Sequence, residues 1–163
     1  MTTVIHPAAT KPPHGRLRIL LAAGALVGVL DLLFAWGFWV GHGVGMQRIL
    51  QSIGAGWLGQ RSFSMGTTSA AIGAISHFAI AVAFVVAYWL VSRRMPALVR
   101  HPVALGLPYG VALYLVMNLV VLPLSAAGSP GFDNLPWVAS SVVMHALIGV
   151  ICACAARLAA RGH

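Results

Sequence analysis

Four long apolar stretches, residues 17–40, 69–91, 102–124 and 135–156, alternate along the chain with short polar or glycine- and proline-rich segments. Each is long enough to cross a hydrocarbon core about 30 Å thick, which takes roughly 20 helical residues. Inside lipid every backbone N–H and C=O needs a partner within its own segment or in a closed barrel. None of the stretches alternates residue by residue as a barrel strand does. The pattern therefore predicts an all-α membrane protein with four transmembrane helices. Short links make sequential helices antiparallel neighbours, so an up-down-up-down bundle is expected.

The link at 41–68 is the only long one. Within it Met46, Ile49, Leu50, Ile53 and Trp57 recur at helical spacing, opposite Gln47, Arg48, Gln51 and Ser52. This predicts a short amphipathic helix lying on the outer membrane surface or capping the bundle, as a lid rather than as a gate. Gly54, Gly56 and Gly59 then read as residues that loosen the chain before the second span. The link at 125–136 carries Gly128, Pro130, Gly131 and Pro136, with Asp133 or Asn134 placed to cap the fourth span. Residues 1–15 contain three prolines and no apolar period, which predicts a disordered cytoplasmic tail before a single transmembrane domain at 16–163. A basic segment followed by an apolar run resembles a signal peptide. Asp31 within that run, and the bulky Phe34, Trp36, Phe38 and Trp39 at its end, instead predict an uncleaved helix with aromatic residues at the outer interface.

Composition agrees with the pattern: only 7% of residues are charged, against about 25% in a soluble domain. The net charge of +8 raises the question of nucleic acid, but its placement answers it. Lys11, Arg16 and Arg18 precede the first span, Arg93, Arg94 and Arg100 separate the second from the third, and Arg157 and Arg161 follow the fourth. Only Arg48 and Arg61 fall on the other side. This is the positive-inside bias, predicting both termini in the cytoplasm and no nucleic-acid partner. Cys152 and Cys154, at i and i+2 on one helix, point in different directions and read as packing residues.

Each span carries one strongly polar residue: Asp31, His77, Asn118 and His145 in chain order. Counted from the nearest arginine on the basic side, they lie at about 18–27 Å, in the middle to outer part of the membrane. Asp31 shares its stripe with Gly24, Gly28 and Ala35, and His77 lies in line with Gly73 and Ala81, beside Ser76. Asn118 aligns with Gly106, Gly110 and Tyr114, and His145 with Ser141 and Gly149. Small residues mark close helix approach, so all four polar groups are expected at helix interfaces rather than towards lipid.

Ionisable residues inside a membrane are costly and mark functional sites by default. The plain reading is a structural clasp, with Asp31 paired to His145 and His77 paired to Asn118 or Tyr114. The sharper reading is a proton- or ion-handling site in a small transporter, channel or proton-coupled component, because Asp and His both titrate. An accessory subunit of a larger membrane complex, or a homo-oligomer, is the alternative. A b-type haem held by His77 and His145, or a quinone, is a further one. No metal is predicted, because the two His and one Asp carry no spacing signature, and no catalytic motif points to an enzyme.

Several short strings have a family look: Leu30-Asp31, the run Arg48 to Ile53, Gly56 to Gly59, Ser76-His77-Phe78, and Met117-Asn118 through Val121 to Ser125. Over most of its length the chain resembles a family of small, uncharacterised bacterial four-span membrane proteins. The resemblance implies a bacterial inner-membrane location and a four-helix topology. It transfers no cofactor, activity or functional residue.

Overall fold

In the computed structural model, which describes residues 13–161, four helices have the length and apolarity to cross a membrane. They are α1 (Pro13–Trp39), α3 (Gly66–Ser92), α5 (Pro102–Leu124) and α6 (Leu135–Ala160). Between them lie α2 (Met46–Leu58) and the single-turn α4 (Ala97–Arg100), and no strand occurs among the described residues. Helix α1 begins at Pro13, so residues 13–15 belong to it and not to a tail. Proline is tolerated in a first turn because its missing N–H would have no helical partner there. The expected disorder of 1–12 lies outside the described residues. Asn134 caps α6, its side-chain oxygen accepting from the Trp137 N–H at 3.1 Å.

Glycines set the closest helix contacts. On α1, Gly24 faces Val82 of α3, and Gly28 faces the ring of Phe78. On α5, Gly106 lies against Val150 and Gly110 against His145 and Ala146 of α6, while Gly149 returns the contact onto Gly106 and Gly110. In both pairs the residue numbers rise on one helix as they fall on the other. With no side chain in the way, the backbones approach to van der Waals distance, where dispersion is strongest. Helix α6 is the hub: it packs most extensively on α5 and also on α1 and α3.

By contrast, α3 and α5 barely pack on each other. They are tied by Tyr109, which stacks edge-on against Tyr88 with centroids 4.8 Å apart and donates its hydroxyl proton to the Phe84 carbonyl at 2.8 Å. Around this tie Leu20, Val27, Val85, Tyr88, Ile148 and Cys152 form a tightly buried core in the half of the bundle nearer the arginine-rich ends. Cys152 is buried and Cys154 exposed, both as free thiols. Tyr109→Phe keeps the ring and loses the interhelical bond, so it is expected to cost about 1 kcal/mol. Thermal unfolding in detergent measures this. An unchanged midpoint would mean that the ring contact alone holds α3 to α5.

Helix α2 is amphipathic, as its spacing predicts, but it is used differently. It packs on α3, with Ile49, Gln51, Gly54 and Ala55 buried. Gln51, expected on the polar face, is 5% exposed and donates to the Gly66 carbonyl at 3.0 Å. Trp57, expected on the apolar face, is 74% exposed, with its indole N–H bonded to Ser76 Oγ at 2.9 Å. Gly54 and Gly56 do not loosen the chain. The helix runs through both, and Gly54 lies against the Ser69 carbonyl and the Ser62 hydroxyl. The break falls at Gly59, whose φ of +58° favours glycine. Just beyond α5, the Ala126 N–H bonds the Gly56 carbonyl at 2.9 Å, so α2 bridges from α3 to the end of α5.

Candidate functional site

Above the Tyr88–Tyr109 tie the helices separate, and a cavity of about 1030 Å³ opens between α1, α3, α5 and α6, with α2 along one side. Its walls are mostly apolar and rich in aromatic rings. All seven polar residues anticipated from the sequence line it: Asp31, Ser76, His77, Tyr114, Asn118, Ser141 and His145. Spacing alone could not show that four separate helix interfaces share one chamber.

The expected clasp pairs do not form. His77 holds α3 to α1, its Nε2 lying 2.9 Å from the Gly28 carbonyl. His145 Nδ1 lies 2.9 Å from the Ser141 carbonyl one turn earlier. A carbonyl oxygen only accepts, so each of these ring nitrogens carries a proton, which leaves His77 Nδ1 and His145 Nε2 with lone pairs when the rings are neutral. Asn118 Nδ2 donates to the Tyr114 carbonyl at 2.9 Å, and the Tyr114 ring stands edge-on to His145 with centroids 5.4 Å apart. Asp31, partly buried, makes no hydrogen bond or ion pair among the described residues. Ser141 is 4% exposed, and its hydroxyl has no partner among the described residues. A buried polar atom without a partner costs about 1–3 kcal/mol.

Two local features place these side chains. Gly28 lacks a Cβ, which lets the Phe78 ring and the neighbouring His77 come up to the α1 backbone. In α5 the turn at Met117–Val121 is a π-helix, and Asn118 sits in it. Pro123 explains the widening, since its ring collides with the carbonyl four residues back, at Leu119, and it supplies no N–H to the regular ladder. That proline was the one sequence signal of a distortion beside the polar layer.

Sequence reading missed Arg48. It belongs to the α2 face of Arg48, Ser52 and Gly56, which lines the chamber, and its guanidinium sits 3.7 Å above the Phe63 ring. Phe34, Trp39 and Trp137 also line the chamber, in an aromatic cluster where Trp137 of α6 packs against Phe34, Phe38 and Trp39 of α1 at 5.0–5.5 Å. A separate cavity of about 250 Å³ lies at the arginine-rich end, lined by Arg16, Trp89 and Arg93 among others. The packed core stands between the two. His77 has its Nε2 committed to Gly28, so the pair of free imidazole Nε2 atoms that a bis-His haem takes is not presented. No three His, Cys, Asp or Glu side chains converge as a metal site among the described residues.

Fold and site together define a multi-pass, all-helical membrane protein with a chamber at one end of its bundle. No protein family, curated protein or solved structure is found to match the chain.

Proposed function

We propose that this is a small proton-handling or transport protein of a bacterial inner membrane, using Asp31 and the His77, Asn118 and His145 layer as its site. The observation that carries the reading is the lone Asp31 carboxylate. It lines the chamber alongside two imidazoles, each of which bonds a backbone carbonyl through one ring nitrogen and keeps the other open, and no two of these side chains are hydrogen-bonded to each other. A polar layer that only held helices together would satisfy its members against one another, because each unsatisfied buried group costs stability. Groups left open inside a membrane suit a site that exchanges protons or binds a solute.

The positive-inside rule orients the bundle up-down-up-down with both termini in the cytoplasm, so the chamber opens to the outer side. The core around Tyr88 and Tyr109 separates it from the cytoplasmic cavity, which fits a site that is loaded from one side and not a standing pore. Transfer to the other side then requires the Tyr109 tie to yield.

The test is proton flux in proteoliposomes carrying a trapped pH dye. The unmutated protein is expected to dissipate an imposed pH gradient. Asp31→Asn is expected to slow it by about a hundredfold or more, in the range that a positioned proton-transfer group contributes, with helicity and elution volume unchanged. Absence of flux from the unmutated protein overturns the reading.

A further inference from the structure

The chamber also specifies the charge and character of what it would bind, an inference that rests on the site proposed above. The groups left over once internal hydrogen bonds are counted are mostly negative ends. They are the Asp31 carboxylate, the free lone pairs of His77 and His145, and the Asn118 side-chain oxygen. Around them stand the rings of Phe34, Trp39, Phe84, Tyr114 and Trp137, whose faces carry negative potential. A volume near 1030 Å³ is at the upper end for small-molecule sites and far larger than a metal ion or a proton needs.

The charged and titratable groups facing this space are Asp31 from α1, Arg48 from α2, His77 from α3, Tyr114 from α5 and His145 from α6. Among the described residues Arg48 is the one fixed cation that lines it. It is exposed and stacked on Phe63, where water screens its charge, while Asp31 is partly buried. The inner part of the chamber is therefore negative in character and its rim positive.

Access has a natural route. Helices α3 and α5 are tied at Tyr109 and separate above it, and α2 bridges the gap with Trp57 largely exposed at its edge. A molecule dissolved in the bilayer can reach the chamber sideways between them.

We propose that the chamber binds a bulky hydrophobic organic cation, seated against the Asp31 carboxylate and the surrounding aromatic faces. The probes are tetraphenylphosphonium and tetraphenylborate, which share a shape and differ in sign. Binding of each to the purified full chain in phosphatidylcholine nanodiscs is measured by equilibrium dialysis against empty nanodiscs. Tetraphenylphosphonium is expected to bind saturably. Asp31→Asn should weaken it about tenfold or more, the equivalent of about 1.4 kcal/mol. Arg48→Gln should tighten it severalfold, and Trp137→Leu should weaken it severalfold.

Equal or tighter saturable binding of tetraphenylborate overturns the proposal, as does tetraphenylphosphonium binding that is absent or indifferent to Asp31→Asn. If cation binding fails while Asp31-dependent proton flux persists, the ligand class is wrong and the proton-handling site stands. If both fail, the site itself is misassigned.

Discussion

Gly110→Ala is expected to lower the stability of the protein by about 3 kcal/mol, the upper part of the usual range for overpacking. An added Cβ at this position falls on the carbonyl of His145, with the Ala146 Cα 2.7 Å away. Both obstacles are backbone, so no side chain can swing aside to make room. Helix α5 would have to retreat from α6 along the most extensive contact in the bundle, and the facing contacts at Gly106 and Gly149 would open with it. The blocked carbonyl belongs to a residue of the chamber, so the variant should also lose proton flux. Chemical or thermal unfolding in detergent gives the stability change. Ala112→Leu, at an exposed position on the same helix, serves as the control and should stay within about 0.5 kcal/mol. A loss at Gly110→Ala as small as that of the control would mean that α5 tolerates bulk at this position and that the glycine contact is not what holds it.

The second large effect is expected at Gly73. Its missing Cβ makes room for the Leu50 carbonyl, and the Gly54 nitrogen lies 2.9 Å from the same point, so α2 is seated on α3 backbone to backbone. Gly73→Leu fills that seat. Helix α2 would lose the burial of Ile49 and Ala55 together with the web in which Gln51 donates to Gly66, Ser62 to Gln51 and Ser69 to Ser62. The remaining helices keep their own glycine contacts, so the expected result is a folded bundle with α2 detached and one wall of the chamber gone. An Ile49→Cys probe reports this, with Cys154→Ala removing the exposed native thiol. Losing about 3 kcal/mol of local stability raises the labelling rate roughly a hundredfold. Unchanged labelling, with the protein still folded, would show that α2 is held chiefly by its connection to Ala126 and not by the α3 seat.

Much of the site could be read from spacing, and the reason is geometric. Helical periodicity places Asp31 in line with Gly28, and His145 with Gly149, so a polar residue and the close contact beside it share a face. Faces are a property of one helix at a time. Partners are not: His77 bonds the Gly28 carbonyl because Gly28 has no side chain to keep the two helices apart there, and His145 and Asn118 turn to carbonyls one turn back on their own helices. The Asp31–His145 pairing does not form, and His145 Nδ1 bonds the Ser141 carbonyl on its own helix instead. Gln51 leaves the polar face expected for it because it donates to the Gly66 carbonyl. Arg48 is legible in the sequence as a topology charge and as part of the polar face of α2, and its place on the chamber wall follows from how α2 crosses the bundle.

Four apolar runs, the arginines at their ends and one polar residue per run are one-dimensional features. By themselves they determined that the chain is all-helical, that four helices are fit to cross a membrane, and which side chains were candidates for a site. Burial of backbone in lipid leaves a helix as the solution for such runs, whatever their neighbours do. Tertiary structure alone decided that α3 and α5 part above Tyr109, that α2 bridges the gap, and that Asp31 lines one cavity with His77 and His145 while making no hydrogen bond or ion pair among the described residues. Those outcomes depend on which backbones can touch. That is settled by the meeting of Gly110 with His145 and of Gly73 with Leu50, contacts between residues far apart in the chain that no local pattern records.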